Sequence, residues 1–131
     1  MEALIKAARA SREYAYVPYS NFKVGAAVLT KSGKIYTGCN VENASYGLCN
    51  CAERTAIFKA VSEGEQELVA IAIVADTIKP VAPCGACRQV IAEFCIDKII
   101  MCNINGEECV VALEELLPFS FGKKQLLGEN I

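Results

Sequence analysis

The chain has 131 residues, of which 53% are hydrophobic and 21% charged, a balance that suits one folded domain over residues 1–131 and excludes a disordered segment. Its 13 basic and 15 acidic residues leave a net charge of -2, without the basic excess of a polynucleotide binder, so a substrate related to nucleic acid is expected to be a small molecule. Eight cysteines and no histidine narrow the chemistry further: a metal must sit on thiolates or carboxylates, and a proton shuttle near neutral pH must be a carboxylate, lysine, tyrosine or thiol.

Residues 2–15 place Leu4, Ile5, Ala8 and Tyr14 among charges, which predicts an amphipathic helix. This start has neither the apolar core nor the cleavage pattern of a signal peptide, and no apolar run approaches the ~18 residues of a membrane span. A cytoplasmic protein with reduced or metal-bound thiols is expected. Val17-Pro-Tyr-Ser reads as a loop. Residues 22–30 and 34–39 read as two strands of a hairpin turning at Ser32-Gly33. A polar loop over 39–50 follows.

Residues 51–62 carry a helical pattern that Gly64 stops, and 68–75 is a continuous apolar run expected of a buried strand. A loop over 79–83 leads to a second helix over 84–94. Strands over 98–103 and 108–111 flank the Asn105-Gly106 turn, and 113–117 reads as a short helix. This alternation predicts an α/β fold with its sheet packed between helices.

Pro83-Cys84-Gly85-Ala86-Cys87 sets two thiols three residues apart at a helix start, where N–H groups and the helix dipole favour thiolate. Cys51 opens another helix. Two helix starts meeting at one sheet edge would join Cys51, Cys84 and Cys87 as three zinc ligands, leaving one position open for catalysis. Glu53, two residues beyond Cys51, can face the same centre without binding it and carry protons. A structural zinc site would need a fourth ligand, commonly from a second C-x-x-C pair, and the chain has none. A thioredoxin-like motif would follow the first strand, and this one comes late. Cys39, Cys95, Cys102 and Cys109 lie in or beside apolar segments and read as buried small hydrophobes. Cys49 is left open as a spare thiol near the site. Three thiolates on Zn²⁺ leave a net negative centre, so Arg54 is expected to offset that charge by hydrogen bonding to sulfur.

A Cys-x-Glu followed by Pro-Cys-x-x-Cys is the arrangement of zinc deaminases. With Cys39-Asn40-Val41-Glu42-Asn43-Ala44-Ser45-Tyr46, Cys51-Ala52-Glu53-Arg54-Thr55-Ala56 and Pro83-Cys84-Gly85-Ala86-Cys87-Arg88-Gln89, the chain resembles the small homotetrameric cytidine deaminases with three cysteine ligands. The resemblance runs from Tyr14-Ala15-Tyr16-Val17-Pro18-Tyr19-Ser20 to Glu115-Leu116-Leu117-Pro118. It implies a three-layer α/β/α sandwich on a mixed five-stranded sheet and one zinc ion per chain. The implied reaction is hydrolysis of cytidine or deoxycytidine to uridine or deoxyuridine and ammonia in pyrimidine salvage, through zinc-activated water and a glutamate proton shuttle.

The resemblance also implies that Asn40 and Glu42 hold the ribose, with Val41 between them in the substrate-binding set. Phe22 would pack on the pyrimidine, and the Ala52 N–H and Glu53 carboxyl would address its carbonyl and ring nitrogen. Tyr46 and Phe121 would reach a neighbouring subunit's site, with Phe119 an alternative to Phe121. The rivals are a blasticidin-type aminonucleoside deaminase, a deoxycytidine monophosphate deaminase and a non-enzymatic zinc or redox module. A monophosphate would want basic residues near the ribose loop, where Glu42 stands instead. No nucleic-acid or membrane partner and no organic cofactor is expected.

Overall fold

A computed structural model describes residues 1–128. Helix α1 spans Glu2–Ser11, four residues shorter than its pattern, and the chain tightens into a 3-10 turn over Arg12–Tyr14. Strand β1 spans Val24–Thr30 and β2 Ile35–Cys39, joined through Gly33 at φ +93°. Helix α2 spans Ala52–Ser62, β3 Leu68–Ala75, α3 Gly85–Glu93, β4 Lys98–Asn103 and β5 Glu108–Val111. Short helices α4 (Leu113–Leu116) and α5 (Lys123–Leu127) close the described part; α5 carries no pattern that announced it.

β1 begins two residues later than its apolar run. Phe22 is withheld from the ladder because side chains bind both of its peptide groups: Ser20 Oγ accepts from its N–H and Asn40 Nδ2 donates to its carbonyl.

The five strands form a mixed sheet in the order β2-β1-β3-β4-β5. β3 and β4 are parallel, with α3 in their crossover, and the other neighbours are antiparallel. Alternation along β3 explains its unbroken apolar run. Ile71, Ile73 and Ala75 face a core shared with Ala56, Ile57 and Ala60 of α2 and Ile91 of α3. Ala70, Ala72 and Val74 face the opposite core with Leu4 and Ala8 of α1. Helices therefore cover both faces, in the expected three layers. No helix among the described residues is long and apolar enough to cross a membrane.

Two glycines let the helices sit close to the sheet. A Cβ on Gly25 would lie 2.0 Å from the Ala8 carbonyl oxygen, and one on Gly38 would lie 2.4 Å from the Ala56 nitrogen and 2.7 Å from the Ala52 oxygen. Gly38 thus sets the height of the first turns of α2, which carry Cys51 and Glu53.

Of the four cysteines read as core, only Cys102 is fully buried. Cys39 is half-buried. Cys95 is exposed because the chain leaves α3 there with φ +52°, and Cys109 is exposed on the edge strand β5. Neighbouring apolar residues did not reveal which side of the sheet or helix each thiol would face.

Candidate active site

Cys51 and Cys84 are the N-cap residues of α2 and α3, with ψ of 156° and 168°, and neither side chain caps its helix. An N-cap oxygen ordinarily satisfies an unpaired N–H. Here that role is given up and the sulfurs turn toward each other. Cys51 Sγ lies 3.7 Å from Cys84 Sγ, and Cys84 Sγ lies 3.3 Å from Cys87 Sγ. All three sulfurs fall within 4.8 Å of one another. A tetrahedral zinc with bonds of about 2.3 Å separates its sulfurs by about 3.8 Å, so the cluster is of the right size for one ion.

The thiols' acidity fits the same ion. The Cys51 thiol is held down to about 5, first by its hydrogen bond with Cys87 and then by Arg54 and Cys84. The Cys87 thiol is pushed far above the ordinary thiol range by the bond to Cys51 and by burial. The pair retains a proton unless a cation sits among the sulfurs. Arg54 Nη2 donates to Cys51 Sγ at 3.3 Å, as its expected role requires. Its Nε is buried without a hydrogen-bond partner among the described residues, so the guanidinium keeps unused donor capacity beside the cluster.

Glu53 lies in the first turn of α2 and is only 4% exposed. Burial pushes its carboxyl up to about 7. A cavity of about 190 Å³ brings together Phe22, Asn40, Cys51, Ala52, Glu53 and Cys84, walled by Val24, Ile73, Val81 and Ala82. Larger clefts lie beside α1 and α5, but each is lined by a single cysteine and neither reaches Glu53.

A second cavity of about 260 Å³ is lined by Tyr19, Ser20, Glu42, Tyr46 and Cys49. Glu42 Oε1 accepts the N–H groups of Tyr19 and Ser20, each at 3.1 Å, and its Oε2 accepts the Ser20 hydroxyl. These bonds, the Ser20 hydroxyl foremost, hold the Glu42 carboxyl below its ordinary range. Asn40 Oδ1 accepts the Val24 N–H at 2.9 Å while its amide donates to Phe22 O at 2.8 Å. One amide proton and one lone pair of Asn40 stay free. Cys49 closes its loop locally: its Sγ accepts the Asn43 N–H at 3.3 Å.

Cys87 and Arg54 sit behind the cavity wall in the sulfur cluster, and three residues expected to meet substrate line neither cavity. Val41 is exposed and bridges by its backbone to Tyr16 and Asn50. Phe121 is held by its carbonyl, which accepts from Gln89 Nε2 at 2.7 Å, while its ring is exposed. Phe119, the alternative to Phe121, is fully exposed at φ +54°. Tyr46 lines the second cavity, edge-on to Tyr19 at 6.1 Å between ring centres, yet is 73% exposed. Sequence reasoning missed Val81, Ala82 and Ser20. The first two had no signal beyond preceding Pro83, whereas Ser20 stood at the end of a quoted motif.

Residues 1–103 match the family model of the cytidine and deoxycytidylate deaminase zinc-binding region. The cytidine deaminase of Halalkalibacterium halodurans is 58% identical over 122 residues, covering 92% of each chain. That of Sporosarcina psychrophila is 53% identical over 128 residues, covering 96% of this chain and 94% of its own. The crystal structure of cytidine deaminase from Burkholderia pseudomallei superposes with a TM-score of 0.88 at 56% identity, covering 92% of this chain and 98% of that one. With its sulfur cluster, buried glutamate and these likenesses, the chain belongs to the zinc-binding cytidine and deoxycytidylate deaminase family.

Proposed function

We propose that this chain hydrolyses cytidine and deoxycytidine to uridine and deoxyuridine with release of ammonia, as a pyrimidine-salvage enzyme of the cytoplasm. The observation that carries the reading is a small cavity that joins Cys51, Cys84 and the buried Glu53 carboxyl, with the Cys87 sulfur within 4.8 Å of the other two. Relatives at 58% and 53% identity that are cytidine deaminases favour cytidine over a blasticidin-type aminonucleoside.

Cys51, Cys84 and Cys87 would hold one zinc ion, which supplies a Lewis acid that makes water nucleophilic near neutral pH. Glu53 takes the proton of the attacking water and delivers protons to the ring nitrogen and to the departing amine. Water adds at the amine-bearing carbon, the carbon–nitrogen bond breaks, and the nitrogen leaves as ammonia. The Ala52 N–H donates to the pyrimidine carbonyl, a role supported by its position at the first residue of α2, where it has no carbonyl of its own helix to bind. The Phe22 ring packs on the pyrimidine. The free amide proton of Asn40 and the remaining acceptor capacity of Glu42 serve the ribose hydroxyls.

The assembly belonging to this reading is a homotetramer in which Tyr46 and Phe121 complete neighbouring sites. A mean hydropathy of +0.30 and exposed Tyr46, Leu48, Phe58 and Phe121 support buried apolar contact between copies. The test is ammonia release from cytidine, deoxycytidine, deoxycytidine monophosphate and blasticidin S, with and without a chelator. Chelator-sensitive release from the two nucleosides is expected. Metal-loaded protein inert toward both overturns the reading.

A further inference from the structure

The loop between the 3-10 turn and β1 has a left-handed residue at Asn21, φ +58°, and only one backbone bond of its own, from Asn21 N–H to Val17 O. Tyr16 pairs by backbone with Asn40 and Glu42, and the stretch from Tyr19 to Phe22 is held by side chains reaching across from just beyond β2. Glu42 binds the peptide N–H groups of Tyr19 and Ser20. The Ser20 hydroxyl donates to Glu42 Oε2 and accepts the Phe22 N–H at 3.0 Å. Asn40 then takes the Phe22 carbonyl and the Val24 N–H. Phe22 is held through both of its peptide groups, and it lines the same cavity as Glu53, Cys51 and Cys84.

A hydroxyl has one proton to give and two lone pairs to receive. Ser20 spends its proton on a carboxylate and a lone pair on Phe22, so it links a charge outside the catalytic cavity to the one aromatic ring inside it. Alanine would remove both bonds and leave the Phe22 N–H unpaired. We propose that Ser20 is a positioning residue for the nucleoside base, acting through Phe22. This inference rests on the proposed deamination for its kinetic consequence and not for its structural one. The ring packs on substrate and transition state alike, so its misplacement weakens binding more than turnover.

Ser20→Ala is expected to raise the KM for cytidine about tenfold while kcat changes by less than about twofold, with zinc content unaltered. Ser20→Thr, which keeps the hydroxyl, restores the KM. If the effect runs through Phe22, Ser20→Ala adds little to a Phe22→Ala variant. An equal rise in KM in both backgrounds would mean that Ser20 acts elsewhere and overturns the proposal. A second measurement needs no substrate. The chain has no tryptophan, so a Phe22→Trp variant carries one indole. Adding Ser20→Ala to it is expected to increase acrylamide quenching of that indole about twofold as the loop loosens. Unchanged quenching sinks the proposal even if cytidine is not the substrate, and absent deamination with increased quenching supports the latch while refuting the proposed reaction.

Discussion

Arg54 Nη2 donates to Cys51 Sγ at 3.3 Å, one helical turn along from the N-cap that the cysteine occupies. The guanidinium favours the Cys51 thiolate, and we propose that it also offsets the excess negative charge of a three-sulfur zinc centre. Arg54→Ala is expected to keep the fold but lower zinc retention and kcat, by about 10- to 100-fold in one or both. Metal content and steady-state kinetics on the purified variant check this; wild-type values in both would exclude the role.

Glu53 differs from the thiols in lying buried within the cavity without belonging to their cluster. Glu53→Gln preserves volume and removes the capacity to carry a proton. Zinc content should stay at one per chain while turnover falls by about 10²- to 10⁴-fold. Wild-type-like ammonia release would show that the proton travels by another group.

Chelation should destabilise the protein as well as silence it. Without a cation the Cys51–Cys87 pair retains its proton, and the N-cap cysteines of α2 and α3 are joined by sulfur hydrogen bonds in place of metal bonds. Calorimetry should find a lower Tm after stripping, recovered with one equivalent of zinc per chain. A Tm indifferent to metal would mean the three sulfurs are not a binding site.

Gly38 is predicted to be intolerant of even one methyl group. The methyl of Gly38→Ala would overlap backbone atoms of Ala52 and Ala56, which cannot rotate away. A loss of about 1–3 kcal/mol in urea unfolding is expected, with weakened zinc binding because the displaced turns carry Cys51 and Glu53. Stability equal to that of the parent would show that α2 can rise from the sheet without cost.

Thiol reactivity should sort by position. Cys95 and Cys109 are exposed, whereas Cys102 is buried and pushed up to about 11 by that burial and by Glu108. In the zinc-loaded protein, Cys95 and Cys109 should alkylate within minutes and Cys102 only on unfolding. Mass spectrometry of the labelled peptides reads this directly, and early labelling of Cys102 would contradict its packing.

Much of this architecture was legible in the residues because its signals are local. β3, β4 and β5 begin and end where apolar runs meet turn residues. Both cysteine-bearing helices start where the helical patterns over 51–62 and 84–94 begin. The absence of histidine restricted metal ligands to thiolates and carboxylates, and the proton carrier to a carboxylate, lysine, tyrosine or thiol.

Relations across the sheet were not legible. The start of β1 moved from Phe22 to Val24 because Asn40 and Ser20 claim the Phe22 peptide, a competition between residues up to 18 positions apart. Cys95 and Cys109 point outward although their neighbours are apolar, because strand edges and left-handed corners are set by what packs against them.

The same division holds at the Arg54–Cys51 pair. Residue types alone limited any metal here to thiolate or carboxylate ligands and any proton carrier to a carboxylate, lysine, tyrosine or thiol, since side-chain chemistry sets ligand type and proton affinity. The folded chain adds that three sulfurs converge within 4.8 Å, that Glu53 is buried at the first turn beside them, and that the Ser20 hydroxyl accepts the Phe22 N–H. Convergence depends on how closely two helices approach one sheet, and that is set by packing at Gly38 and along β3, between residues far apart in the chain.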